Sequence, residues 1–224
     1  MNVIKNKILN CINGFTLAEV LITLVIIGVI AALTIPTAIN NTKNQELKTQ
    51  FAKAYSTISQ AVYKTEMNDF FGYAECFYGE GGLDNQMTNC GPFYTALSKN
   101  LQVQKVCNGN AMADGCVPVY QSYASGGCGG FSESYINNIL VVYVLSNGQI
   151  IIPWYYSYSG GMALFMVDIN GHKGPNAAGK DLFSFRLKRK PDTSLYLAAD
   201  SCQPTVSGGK SSSEMILYSL SGKK

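Results

Sequence analysis

The chain is 224 residues long, which bounds it to one domain with an appended segment. Hydrophobic residues make up 47% and charged residues 14%, against about 25% charged in an average globular chain, so a core of useful size is possible while charge is sparse. A formal net charge of +3, dispersed along the chain, is too small to indicate nucleic acid as a partner.

At the N-terminus, Lys5 and Lys7 precede an apolar run, Phe15 to Ile35, whose only charged residue is Glu19. At about 1.5 Å per residue, a helix of that length crosses a hydrocarbon core of about 30 Å. A secretory signal has a shorter apolar stretch, about 7–15 residues, closed by a small-residue cleavage site. Here Pro36 and a polar stretch follow instead. The lysines place the N-terminus on the cytoplasmic side and everything after Pro36 outside. Cysteine usage agrees with that orientation. Cys11 precedes the run, whereas Cys76, Cys90, Cys107, Cys116, Cys128 and Cys202 follow it, an even set of disulfide candidates for an oxidising compartment. With no CxxC pair and His172 as the single histidine, zinc is a poor alternative. Glu19 is the feature an ordinary anchor leaves unexplained, because a carboxylate in a spanning segment needs a partner.

Gly14-Phe15-Thr16-Leu17-Ala18-Glu19, with the apolar run and Pro36 behind it, resembles the type IV prepilin cleavage motif. The resemblance covers about residues 5–60, roughly a quarter of the chain, and extends to the related type II secretion pseudopilins. It implies removal of residues 1–14 by a prepilin peptidase, cleavage falling between Gly14 and Phe15, and N-methylation of Phe15. It also implies an assembly role for Glu19, pairing with the N-terminal amine of a neighbouring subunit. Leader removal discards Cys11 and leaves the even six. The implied partners are other copies of the chain, the peptidase/methyltransferase, an inner-membrane platform protein and a cytoplasmic assembly ATPase.

Beyond Pro36, Leu47, Phe51, Ala54, Tyr55, Ile58, Ala61 and Val62 recur at steps of three and four, which predicts an amphipathic continuation and one helix over about residues 16–66, with a bend expected at Pro36. Residues 67–135 mix Gly-rich stretches with aromatics and five cysteines. They read as loops with a short helix near Pro92 to Leu101, with Cys107–Cys116 as the most plausible local staple. Strands follow at Ile139–Leu145 and Gln149–Trp154, joined by Ser146-Asn147-Gly148, a strong hairpin signal. Ala163–Val167, Leu182–Leu187 and Ser194–Ala199 complete four or five antiparallel strands. The expected class is α+β: a long N-terminal helix, half membrane-spanning and half amphipathic, packed on a small antiparallel sheet in a disulfide-stapled, pilin-like head. The expected parts are a leader at 1–14, a transmembrane and assembly helix at 15–36, its amphipathic continuation at 37–66 and an extracytoplasmic head at 67–224.

Between two of the predicted strands, Asp168, Asn170, Asn176 and Asp181 offer oxygen donors among glycines, a composition able to wrap Ca²⁺, although the EF-hand pattern is absent. Asx turns explain the same residues without a metal. His172 lacks the nucleophile and orienting carboxylate of a triad, and Asp181, Asp192 and Asp200 have no spacing that marks a hydrolase pair. The sequence therefore reads as a structural subunit and not an enzyme. Trp154, Tyr155, Tyr156 and Tyr158 form an aromatic cluster suited to strand packing or to surface contact, and Arg186-Leu187-Lys188-Arg189-Lys190 is a basic run read as a solvated strand end. The functional expectation is a filament subunit, initially a single-pass protein of the inner membrane. A secretion pseudopilin is the alternative, followed by a competence-type minor pilin binding DNA.

Overall fold

The computed structural model describes residues 14–68, 91–121, 133–138, 141–154, 164–190, 194–200 and 205–221. Its elements in chain order are α1 (Leu17–Asn68), α2 (Gly91–Lys99), β1 (Val103–Asn108), α3 (Glu133–Asn138), β2 (Val141–Leu145), β3 (Ile150–Trp154), β4 (Leu164–Asp168), β5 (Leu182–Arg189), β6 (Leu195–Ala199) and α4 (Ser212–Leu220). The chain divides into two compact units between Asn44 and Gln45, and α1 contributes to both.

The six strands form one sheet in the order β1-β2-β3-β4-β5-β6, every neighbouring pair antiparallel. Period-two alternation divides the side chains between two buried faces. On β3, Ile151 joins the core beneath α1, whereas Ile150 and Ile152 point to the other side. On the first face lies the apolar stripe of α1, where Phe51, Ala54, Ile58, Ala61 and Val62 return at helical spacing and are buried. Phe51 meets Phe183 edge-on at 4.8 Å between ring centroids and tilts against Phe185 at 5.7 Å. Polar tips on the same helix fix its position over the sheet: the Tyr55 hydroxyl donates to the Leu197 carbonyl at 2.8 Å, and the Glu66 carboxylate accepts the Leu195 amide at 3.0 and 3.1 Å. The second face is covered by residues 107–120 and Ile136, including Cys107, Cys116 and Tyr120, with Cys107 bonded to Cys116. The sheet is therefore the middle layer of three within residues 45–221.

The expected α+β class holds, with a long helix on an antiparallel sheet and a disulfide. Two local expectations require correction. Residues 103–108 are a strand and not a loop, and among the described residues there are six strands where four or five were expected. At the sheet edge β1 exposes Gln104, Lys105 and Val106, so only its pairing with β2, and no apolar alternation, marks it as a strand.

The Ser146-Asn147-Gly148 turn forms as expected, with Gly148 at φ +85°. Its carbonyl sits directly against Gly171, itself at φ +64°, in the position a Cβ there would occupy. Alanine at 171 thus meets both left-handed strain and fixed backbone. Gly171→Ala is expected to lower stability by at least about 2 kcal/mol, read as a lower denaturation midpoint with unchanged slope.

Candidate functional site

The expected leader junction, Gly14–Phe15, is exposed. Gly14 has a backbone that any residue can adopt, and a Cβ added to it would touch nothing within 4 Å among the described residues. Nothing in the described fold requires glycine there. Phe15 is 87% exposed. Next comes a helix cap that the sequence reading passed over. The Thr16 amide and hydroxyl both donate to Glu19 Oε2 at 2.8 Å, and the Glu19 amide donates back to Thr16 Oγ1 at 3.3 Å. This is a capping box, readable in advance as Thr16-x-x-Glu19. It starts α1 at Leu17 and assigns the carboxylate a duty within its own chain.

From there to Ile39, every large apolar side chain is exposed in the single chain, Leu33 by 72%. A continuous apolar surface of that extent marks a site that lipid or protein covers. The polar groups along it are satisfied within the helix: the hydroxyls of Thr23 and Thr34 donate to the carbonyls of Val20 and Ile30, both at 2.9 Å. At Pro36 the helix continues, although the proline ring removes the amide that would bond the Ala32 carbonyl. By length and composition α1 is able to cross a membrane.

A family model described as the prokaryotic N-terminal methylation motif matches residues 9–35. The chain carries a prepilin-type N-terminus. No curated protein and no solved structure matches the chain. The prepilin-type motif is that of type IV pilins and pseudopilins, a structural rather than a catalytic group, and it implies processing by a prepilin peptidase and assembly into a filament. Together with the apolar helix it fits a single-pass membrane anchor.

A second cluster lies far along the sequence, in the 168–181 loop between β4 and β5. Asp168 and Asp181 are both fully buried. Asp168 Oδ1 accepts the amides of Asn170 and Gly171 at 3.1 and 2.7 Å. The Asp181 carboxylate accepts the amides of Asn176 and Ala177, both at 2.7 Å. Three buried acceptors find no hydrogen-bond donor: Asp168 Oδ2, Asn170 Oδ1 and Asn176 Oδ1. Burial first, and the charge of Asp181 second, push the Asp168 carboxyl up to about 7, and the Tyr120 hydroxyl acts in the opposite direction. Burial also raises Asp181, opposed by its amide hydrogen bonds and by the Asn170 side chain. Thus the structure brings together all four oxygen-bearing residues singled out in the sequence. It orients Asp168 and Asp181 through backbone amides, as the Asx-turn reading expects, and it leaves further oxygens unclaimed.

The other sequence candidates divide. Cys107 and Cys116 are bonded, with 6.4 Å between their Cα atoms, while Cys11, Cys76, Cys90, Cys128 and Cys202 lie outside the described residues. His172 is exposed, its Nε2 at 3.2 Å from the Gly115 carbonyl. In the basic run, Arg186 is paired with Asp200 at 2.6 Å and Leu187 is buried. Tyr155, Tyr156, Tyr158 and Asp192 lie outside the described residues, and Trp154 ends β3.

Proposed function

We propose that this chain is the precursor of a type IV pilus-like filament subunit. The leader, residues 1–14, is cut after Gly14, and Phe15 becomes the N-methylated first residue. Residues 15–36 form the membrane and assembly helix, 37–66 its amphipathic continuation, and 67–224 the extracytoplasmic head. Before assembly the subunit resides in the inner membrane with its N-terminus cytoplasmic. Copies then associate through the apolar helices, driven by a platform protein and an assembly ATPase.

The observation that carries this reading is the exposed apolar first half of α1, which holds, one turn in, the single charge between Lys7 and Lys43. Once α1 is packed among copies of itself and water is excluded, that carboxylate requires a cation. Cleavage after Gly14 creates one, the Phe15 amine, at the same end of the neighbouring helix. The uncleaved chain has its amine 14 residues earlier, at Met1.

Intact-mass analysis and N-terminal sequencing of the protein from its native membrane test the proposal. The expected result is a chain that begins at N-methylated Phe15 and lacks residues 1–14. A mature protein that still begins at Met1 would sink it.

A further inference from the structure

β6 closes the sheet, and among the described residues it pairs only with β5. The direction of its backbone groups follows from antiparallel parity. The Lys190 amide donates to the Ser194 carbonyl and the Asp200 amide to the Ser184 carbonyl, so the even-numbered residues turn their backbone toward β5. Leu195, Leu197 and Ala199 turn theirs away from it. An edge of this kind accepts a strand from another chain unless something prevents it.

The two edges of the sheet differ in what prevents it. β1 has a register shift between Val103 and Lys105 and exposes Lys105 itself, two devices that spoil strand addition. β6 has neither. Leu195-Tyr196-Leu197-Ala198-Ala199 is uncharged, lacks proline and keeps regular register from Arg189 to Phe185 on its neighbour. That is the composition of a segment that pairs with copies of itself. Two side chains of α1 hold this edge instead. The Glu66 carboxylate takes the outward amide of Leu195 with both oxygens, at 3.0 and 3.1 Å, and the Tyr55 hydroxyl donates to the outward Leu197 carbonyl at 2.8 Å. The two residues are about three helical turns apart, so they lie on one side of α1.

We propose that Tyr55 and Glu66 guard β6, occupying the backbone groups through which a second copy of this chain would add its own β6, antiparallel, about a twofold axis. Glu66 also brings a charge that an incoming strand has to displace. With the guard in place, neighbouring heads stay separate at this edge. Copies are then left to meet through the apolar half of α1, a point that rests on the filament reading.

The test uses the full-length chain in detergent, where parent and variants carry the same apolar helix, so association through it is common to all. Tyr55→Phe keeps the ring that packs on Phe51 and Phe185 and loses only the hydroxyl. Glu66→Ala removes the carboxylate from a half-buried position. The double variant is expected to keep the parent's far-ultraviolet circular dichroism and, in dilute solution, to exchange the Leu195 amide about tenfold faster or more. As concentration rises, its protein mass by light scattering is expected to reach about twice the parent's. Exchange over residues 195–199 should then slow again, which locates the contact on β6. Tyr55→Phe alone is expected to associate in the same way at higher concentration. Adding Tyr196→Lys, at an exposed position of the same strand, sets like charges against each other in the paired strands and is expected to restore the parent's mass. Variants whose mass equals the parent's at every concentration overturn the proposal. So does association that Tyr196→Lys leaves undiminished, since the copies then meet elsewhere. Neither result touches leader cleavage or Glu19, so the guard and the filament reading fail separately.

Discussion

Replacing Glu19 by glutamine is expected to abolish fibre assembly while leaving leader cleavage and membrane insertion intact. The substitution separates the cap that the carboxylate makes in the single chain from its proposed pairing role in assembly. In the single chain Glu19 Oε2 accepts the amide and hydroxyl of Thr16, and a glutamine side-chain oxygen can accept both, more weakly. Helix initiation therefore survives. What glutamine lacks is the negative charge that a neighbouring N-terminal amine requires in a dry helical bundle, where an unpartnered amine is costly. Sheared-fibre yield should fall roughly tenfold or more, the scale seen when one member of a desolvated charge pair is removed. Glu19→Ala should assemble no better, since it loses the cap as well. The informative comparison is between the two variants, with cleavage followed by mobility shift on immunoblots. Normal fibres from Glu19→Gln alongside none from Glu19→Ala would show that the residue serves as a helix cap and would remove charge pairing from the account of assembly.

The second large effect is expected in the head. Phe51→Ala should lower stability by about 3–5 kcal/mol, the range for truncating a buried phenylalanine, and Tm by roughly 6–20 °C. Phe51 has no exposed surface and holds the centre of the contact between α1 and β5, edge-on to Phe183 and tilted on Phe185. The hole opens between two rigid elements, so little collapse relieves it. Phe51→Leu should recover more than half of the loss, because volume is largely restored. A melting temperature within two or three degrees of the parent for the alanine variant would mean that α1 is held to the sheet by something other than this aromatic cluster.

Legibility in the sequence followed the strength of local physics. The stripe Phe51-Ala54-Ile58-Ala61 and the Asn147-Gly148 turn each state a period or a backbone conformation outright, and both appear where expected. The Asp168–Asp181 loop was legible as an oxygen-rich composition, but sequence says nothing about which oxygens remain without donors. That depends on the turns made by Asn176, at φ +54°, and Gly171. β1 was invisible because an edge strand with Gln104 and Lys105 outward has no alternation to display, and its definition comes from pairing with β2. α4 was missed for a different reason. Ser211 and Glu214 form a capping box ahead of Met215, the same Ser/Thr-x-x-Glu signal as Thr16 and Glu19, a short local cue outside any long apolar period. The prepilin-type motif at the N-terminus was legible from sequence alone, because it does not depend on this chain's packing.

The contacts that bury the amphipathic half of α1 reach far along the chain. Glu66 and Leu195 are separated by 129 residues, and Tyr55 and Leu197 by 142. At about 5–20 residues per second, a ribosome needs roughly 6–28 s to deliver the strands that cover this helix. The β-meander is made of adjacent hairpins and forms promptly as each strand emerges, but the helix waits uncovered throughout synthesis. In the proposed membrane-anchored subunit, an apolar N-terminal segment seated in a bilayer would keep that nascent surface dispersed, one chain per insertion site, until the last strands arrive to cover it.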